Sequence, residues 1–190
     1  MYYPVFLDLR GKKCLVIGAG SAAKNKAASL REAGAKVTLL KKKVPGTFKR
    51  YLVPFFLVVS ASNDPHLNED VFRACMRLNK LVNVVDVPSL CNFIYPSRFQ
   101  QGPLQVAVST GGASPALARH IRGVIQKSWG KNWGDFLQFF QKSRKQIFRE
   151  VLDSERRRKI LMNAGSPKIV SLVQKGKLKE AKREFLKGMS

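Results

Sequence analysis

The sequence predicts an α/β fold organised around a parallel sheet, and three observations carry that prediction. Cys14–Ile17 is a continuous apolar run, the mark of a strand covered on both faces. Gly18-Ala19-Gly20 breaks it, and Ser21 to Ala33 then places Ala23, Ala27 and Leu30 at i, i+4 and i+7 on one helical face. Apolar runs at 55–60 and 81–85 repeat the strand signal, with a helical pattern between them.

Gly34 ends the first helix and Lys36–Leu40 is a second short strand, so the chain opens as strand–turn–helix–strand with GxGxxA at the turn. In such a unit Gly18 permits the tight turn and Gly20 lets backbone approach a pyrophosphate. Ala23 takes the place of the third glycine, where helix meets strand. The helix N-terminus offers free N–H groups and a partial positive charge to the phosphates. Dinucleotide binding is the expectation. An acidic residue for the ribose hydroxyls is missing at the end of the second strand, where Leu39-Leu40-Lys41-Lys42-Lys43 stands instead. Those lysines either accept a 2′-phosphate, which favours NADP, or form a solvated loop.

The elements that follow are read in order. Tyr2–Leu9 is apolar and is expected to pack against the first strand. Lys41–Arg50, with Pro45 and Gly46, reads as a loop too short to hold both a helix and a third strand; either the sheet is reduced or a piece is missing. Asp64 fits an N-cap and Pro65 the first helical position of a helix to Asn79, with Leu67, Val71, Ala74, Cys75 and Leu78 on one face. Leu81–Val85 ends in Asp86. Strand C-terminal ends are where open parallel sheets place ligands, so Asp86 is a site candidate by position, against a role in capping its loop. Phe93–Tyr95 and Leu104–Ser109 read as two further strands, with Gly102-Pro103 as the turn signal. Thr110-Gly111-Gly112-Ala113 leads into a helix capped by Ser114, with the stripe Leu117, Ile121, Val124, and the paired glycines free backbone donors. From Trp129 onward no strand is evident. Phe136, Phe139, Phe140, Ile147 and Val151 mark an amphipathic helix, its aromatics read as core or dimer interface. Gly165-Ser166-Pro167 is a break, and a last helix runs from about Leu178 to Leu186.

Composition narrows the function classes. At 190 residues the chain buries one core with room for a smaller second domain, and no apolar run approaches the ~20 residues that span a bilayer. The start, MYYPVFLDLRGKK, lacks a basic leader and apolar h-region, so no secretion signal is expected. Three cysteines without CxxC spacing fit reduced thiols of a cytoplasmic protein. The net charge of +23 calls for a polyanionic partner, and residues 142–190 alone carry 15 Lys/Arg against 5 Asp/Glu. Nucleic acid is disfavoured, because no zinc-finger spacing or aromatic RNA-binding signature accompanies the charge. A polycarboxylate substrate is served by the same field. His66 and His120 stand alone, so no metal site is expected.

Three separated blocks, MYYPVFLDLRGKKCLVIGAGSAAKNKAASLREAGAKVTLL, LVNVVDVPSLCNFIYPS and GPLQVAVSTGGASPALARHIR, together resemble the precorrin-2 dehydrogenase family of sirohaem synthesis. Its members occur alone or as the front part of bifunctional sirohaem synthases. The likeness covers most of residues 2–128 and continues loosely through ERRRKILMN. It implies a Rossmann-type domain (1–110), a central dimerisation segment (111–145) and a small helical C-terminal domain (146–190). It also implies a cytoplasmic homodimer that oxidises precorrin-2 to sirohydrochlorin with NAD, in some members inserting ferrous iron in the same pocket. Carried over by position, Asp86 matches the aspartate implicated in both chemistries, and Thr110, with Gly111 and Gly112, matches a substrate-facing turn. Ser21 and Ala22 match the cofactor-contacting turn, and Lys42 and Lys43 fall beside the adenosine ribose. The family commonly lacks the acidic ribose ligand, which removes that objection to NAD. The departure is the segment after Leu40, about two dozen residues shorter than usual, which leaves a cofactor-binding sensor or assembly protein without turnover as one alternative; a nucleic-acid-binding protein, motivated by the charge of +23, is the other.

Overall fold

Alternation along β1 (Lys13–Ile17) sets the layering of the first half. Successive strand residues face opposite sides of a sheet. Cys14 and Val16 enter one core with Ala23, Ala27 and Leu30 of α1 (Ser21–Glu32). Leu15 and Ile17 enter the other with Leu52 of α2 (Phe48–Leu52) and Val71, Ala74 and Cys75 of α3 (Pro65–Arg77). Helices on both faces leave the strand no wet side, which is why it reads as an unbroken apolar run. This computed structural model describes residues 2–41 and 48–189. The chain passes between two compact units, 1–95 and 96–190, at Tyr95–Pro96.

The first unit is a four-stranded parallel sheet in the order β2 (Lys36–Leu40), β1, β3 (Leu57–Ser60), β4 (Leu81–Val84). Cys14 lies between Val37 and Leu57, so β1 is central and the chain crosses from one side of it to the other after β2. That reversal is a topological switch point, where loops at the strand C-termini diverge and leave a crevice. Gly34, at φ 84°, closes α1: Ala35 N–H donates to the Leu30 carbonyl at 3.1 Å. Asp64 caps α3 as expected, accepting from the His66 and Leu67 amides at 3.0 and 3.2 Å behind Pro65.

Several expectations are corrected. Phe48–Leu52 forms a short helix, α2, where the sequence suggested loop to Arg50, because Leu52 closes the second core. α3 stops at Arg77 and Asn79 turns left-handed (φ 51°). Of the leading apolar segment only Leu9 is buried; Tyr3, Val5 and Phe6 stay exposed. Phe93–Tyr95 is not a strand. The segment before it meets β4 through side chains: Asn92 Oδ1 accepts from Val82 N–H at 2.7 Å, and the Cys91 thiol donates to the Val84 carbonyl at 3.2 Å. These contacts satisfy the β4 edge with one isolated bridge, Asn83–Cys91, so no further ladder forms.

The second unit starts with an antiparallel hairpin, β5 (Ser97–Gln101) and β6 (Leu104–Val108), separate from the parallel sheet. Gly102 (φ 55°) makes its turn. α4 (Pro115–Trp129) packs on the hairpin, and α5 (Lys131–Glu150) meets it through Gly134, whose added Cβ would sit 2.7 Å from the Gln101 carbonyl oxygen. α6 (Ser154–Asn163), α7 (Pro167–Gln174) and α8 (Leu178–Lys187) complete a core of Trp133, Phe136, Ile147, Ile160, Ile169, Val173, Ala181 and Phe185. Phe139 and Phe140 present T-shaped edges to Phe185, with centroids 6.1 and 5.2 Å away, so these aromatics are core. α6 and α7 were hidden in the sequence by a charge run and the Gly165-Ser166-Pro167 break.

Candidate active site

The loop after β1 is shaped by backbone packing. Gly18 has φ 134°, and a Cβ placed on it would lie 2.4 Å from the Ala61 carbonyl oxygen at the end of β3. Its N–H donates to the Leu40 carbonyl at 2.9 Å, which ties β1's exit to β2. Gly18 therefore seats the turn between the two neighbouring strand ends. Gly20 differs: a Cβ there would meet nothing within 4 Å. Its outer side is open. Gly20 is the N-cap of α1, no side chain caps that helix, and no acidic residue sits in its first turn. The amides of Ser21 and Ala22 thus begin a helix whose orphan donors and positive dipole end face open space, an arrangement that fits a dinucleotide pyrophosphate.

Two strands along the same edge, Asp86 follows β4. Neighbouring strands lie roughly 4.8 Å apart, which puts β4 about 10 Å from β1 across the sheet. Asp86 is exposed and adopts φ 62°, a left-handed conformation that Asp tolerates better than most residues. Among the described residues its carboxylate makes no hydrogen bond or ion pair, so it does not cap its own loop. Lys26 is the member the sequence reading missed. It lies on α1 beside the buried stripe, three residues after Ala23, with its ammonium 3.6 Å from the Tyr95 ring centroid. Burial holds the Lys26 ammonium below its ordinary range, and the Asp86 carboxylate pulls the other way. A lysine at i+3 from a buried alanine was the available signal.

The floor between these groups is polar and fixed. Ser60, fully buried at the end of β3, donates to Asn68 Oδ1 at 2.6 Å, and Asn68 Nδ2 donates to the Ser62 carbonyl at 3.0 Å. This pair sets the course of the loop after β3, directly beside Gly18. Lys42 and Lys43 fall outside the described residues. Thr110, Gly111 and Gly112 belong to the second unit. There Thr110 Oγ1 donates to the Ser114 carbonyl at 3.1 Å and accepts from the Ser114 amide at 3.0 Å. Gly111 and Gly112 take φ 65° and 95° and are open on their outer sides, while Ser114 Oγ caps α4 by accepting from Leu117 N–H at 3.2 Å. The Thr110 hydroxyl thus braces the loop that presents the two glycines. Among the described residues no three His, Cys, Asp or Glu side chains gather as metal ligands, and no helix is long and apolar enough to cross a membrane.

The family model for putative NAD(P)-binding domains matches residues 5–97, and that for the central part of sirohaem biosynthesis proteins matches residues 101–128. The chain is similar to siroheme synthase of Nitrosococcus oceani, 35% identical over 174 residues that cover 83% of this chain and 37% of that protein. Siroheme synthase of Buchnera aphidicola is 37% identical over 175 residues, with the same coverage. Siroheme synthase 1 of Yersinia enterocolitica is 32% identical over 201 residues, covering 97% of this chain and 43% of that protein. The chain thus spans about two fifths of the length of these curated relatives. Among solved structures, SirC, a precorrin-2 dehydrogenase, superimposes with a TM-score of 0.74 at 25% identity, covering 96% of this chain and 100% of that one.

Proposed function

Because the chain belongs to the precorrin-2 dehydrogenase family of sirohaem synthesis, we propose that it oxidises precorrin-2 to sirohydrochlorin with NAD as acceptor. The observation that carries this reading is the pairing of an uncapped α1 N-terminus behind the open side of Gly20 with the exposed Asp86 carboxylate, which among the described residues makes no hydrogen bond or ion pair, on the same edge of the sheet. When bound, NAD supplies the hydride acceptor. The chain's own residues do the rest. Gly18 and Gly20 set the backbone, and the Ser21 and Ala22 amides hold the diphosphate. Asp86 takes the macrocycle proton that leaves with the hydride, a role worth roughly 10²–10⁴-fold. Lys26 places a positive charge near the Asp86 carboxylate. The chain's excess of 23 positive charges raises the local concentration of a substrate bearing eight carboxylates.

The reading keeps Lys42 and Lys43 beside the ribose, Thr110 to Gly112 as a substrate-facing turn, and the division into cofactor-binding, dimerising and helical C-terminal parts. It includes a cytoplasmic homodimer formed around α4, whose stripe residues Leu117 and Val124 are 49% and 52% exposed. Light scattering on the parent and on Leu117→Glu reads that state: the parent should be a dimer and the variant a monomer. The decisive experiment is anaerobic incubation with precorrin-2 and NAD, following NADH and sirohydrochlorin absorbance together. Stoichiometric appearance of both supports the assignment. Cofactor binding without turnover supports a sensor instead, and no binding at millimolar NAD overturns the reading. Cobalt insertion into sirohydrochlorin without NAD reads chelation separately.

A further inference from the structure

The second unit holds a basic cleft that the reaction above does not use. It opens between α5 and α6 with a volume of about 410 Å³. Phe140, Phe148 and Leu161 give it an apolar lining, and Arg144, Arg157 and Arg158 ring it; no carboxylate takes part. Phe148 is the centre of the arrangement. Its ring is 48% exposed, yet two guanidinium groups from different helices lie over it, Arg144 at 5.6 Å and Arg157 at 4.9 Å from the centroid. Arg157 is held there by donating to the Val151 carbonyl at 3.1 Å. Arg144 and Arg158 have no ion-pair partner among the described residues. Two of the acids close in sequence are engaged elsewhere: Asp153 caps α6 at the Arg156 amide, and Glu150 accepts from Gln146. On its other side the Arg144–Phe148 ridge borders a second hollow with Lys142, Lys145 and Arg149, again without an acid.

Three cations gathered in one cleft, two of them over the Phe148 ring, repel one another, and folding alone gains little from keeping them together. Guanidinium groups donate to carboxylates in a bidentate fork, and an exposed phenyl ring packs against a flat apolar body. We propose that this cleft binds a planar ring system bearing several carboxylates, with carboxylates on Arg144 and Arg158 and the ring face against Phe148. Its ligand is the tetrapyrrole substrate or product, an identification that rests on the reaction proposed above.

The test titrates the full chain with a free octacarboxylate porphyrin, uroporphyrin, at physiological salt, reading porphyrin fluorescence. Arg144→Gln/Arg158→Gln should weaken one class of binding by at least about tenfold, and Phe148→Leu should weaken it less while keeping the salt dependence. NAD affinity and thermal unfolding serve as controls for the fold. Porphyrin binding unchanged in the double variant overturns the inference. So does preferential displacement of the porphyrin by oligouridylate, which would mark a general polyanion groove. The two readings fail separately: normal precorrin-2 oxidation with unchanged porphyrin binding removes the cleft alone. Loss of porphyrin binding in the variant, with no oxidation by the parent, leaves the cleft and removes the reaction.

Discussion

Alanine at Gly18 and alanine at Gly20, two residues apart in one turn, should fail in opposite ways. At Gly18 the new Cβ would stand 2.4 Å from the Ala61 carbonyl oxygen, 3.0 Å from its carbon and 3.2 Å from the Ala23 Cβ, at φ 134°. The obstacles are the end of β3 and the first turn of α1, neither of which can yield without parting strands that are themselves hydrogen-bonded. Backbone strain of about 1–3 kcal/mol and overpacking of about 1–3 kcal/mol together cost roughly 2–6 kcal/mol, a large share of a domain's stability. At Gly20 the φ of −73° suits alanine and the Cβ meets nothing within 4 Å. Reduced chain entropy and a poorer N-cap offset one another there to within about 1 kcal/mol. On the proposed reading the Cβ occupies the side from which the pyrophosphate approaches, so NAD affinity should fall at least tenfold, about 1.4 kcal/mol. Urea unfolding and calorimetric NAD titration of both variants read the two effects apart. Gly18→Ala with parental stability, or Gly20→Ala with parental affinity, would refute the assignment of roles at this turn.

Asp86→Asn keeps a residue that tolerates the left-handed backbone, so stopped-flow hydride transfer should drop about 10²–10⁴-fold while NAD affinity stays within twofold; near-normal turnover would leave Asp86 only a positioning role. Asn68→Ala strands the buried Ser60 hydroxyl and the Ser62 carbonyl, and denaturant unfolding should show a loss of about 1–3 kcal/mol; a neutral result would mean the loop beside Gly18 is held by other contacts. Cys14 and Cys75 are fully buried, and burial pushes the Cys75 thiol up to about 12, so at pH 8 both remain protonated and shielded. Ellman's reagent should reach neither in the native protein and all three cysteines in guanidinium; prompt native labelling of Cys75 would contradict that packing.

Much of the first unit, and the start of α4 in the second, was legible because the signals are local. The apolar run at Cys14–Ile17, the GxGxxA turn, the Asp64-Pro65 cap and the Ser114 cap each depend on a few consecutive residues, and the structure forms each where its chemistry dictates. The order in which strands pair is not local. Nothing in Phe93–Tyr95 announced that Cys91 and Asn92 side chains would satisfy the β4 edge. Nor did Leu104–Val108 reveal that its partner would be β5 in a separate hairpin, because strand pairing is set by what the rest of the chain leaves unpaired. Lys26 escaped for the same reason: its meaning lies in Tyr95 and Asp86, some sixty to seventy residues away in sequence. The Arg144–Phe148–Arg157 cluster likewise needed α5 and α6 laid side by side. Sequence alone determined the buried strand at Cys14–Ile17, the glycine turn after it and the helix caps at Asp64 and Ser114, each set by a few consecutive residues. Tertiary structure decided which charges lie near one another without a counter-ion, because side chains distant along the chain meet only once the cores have packed.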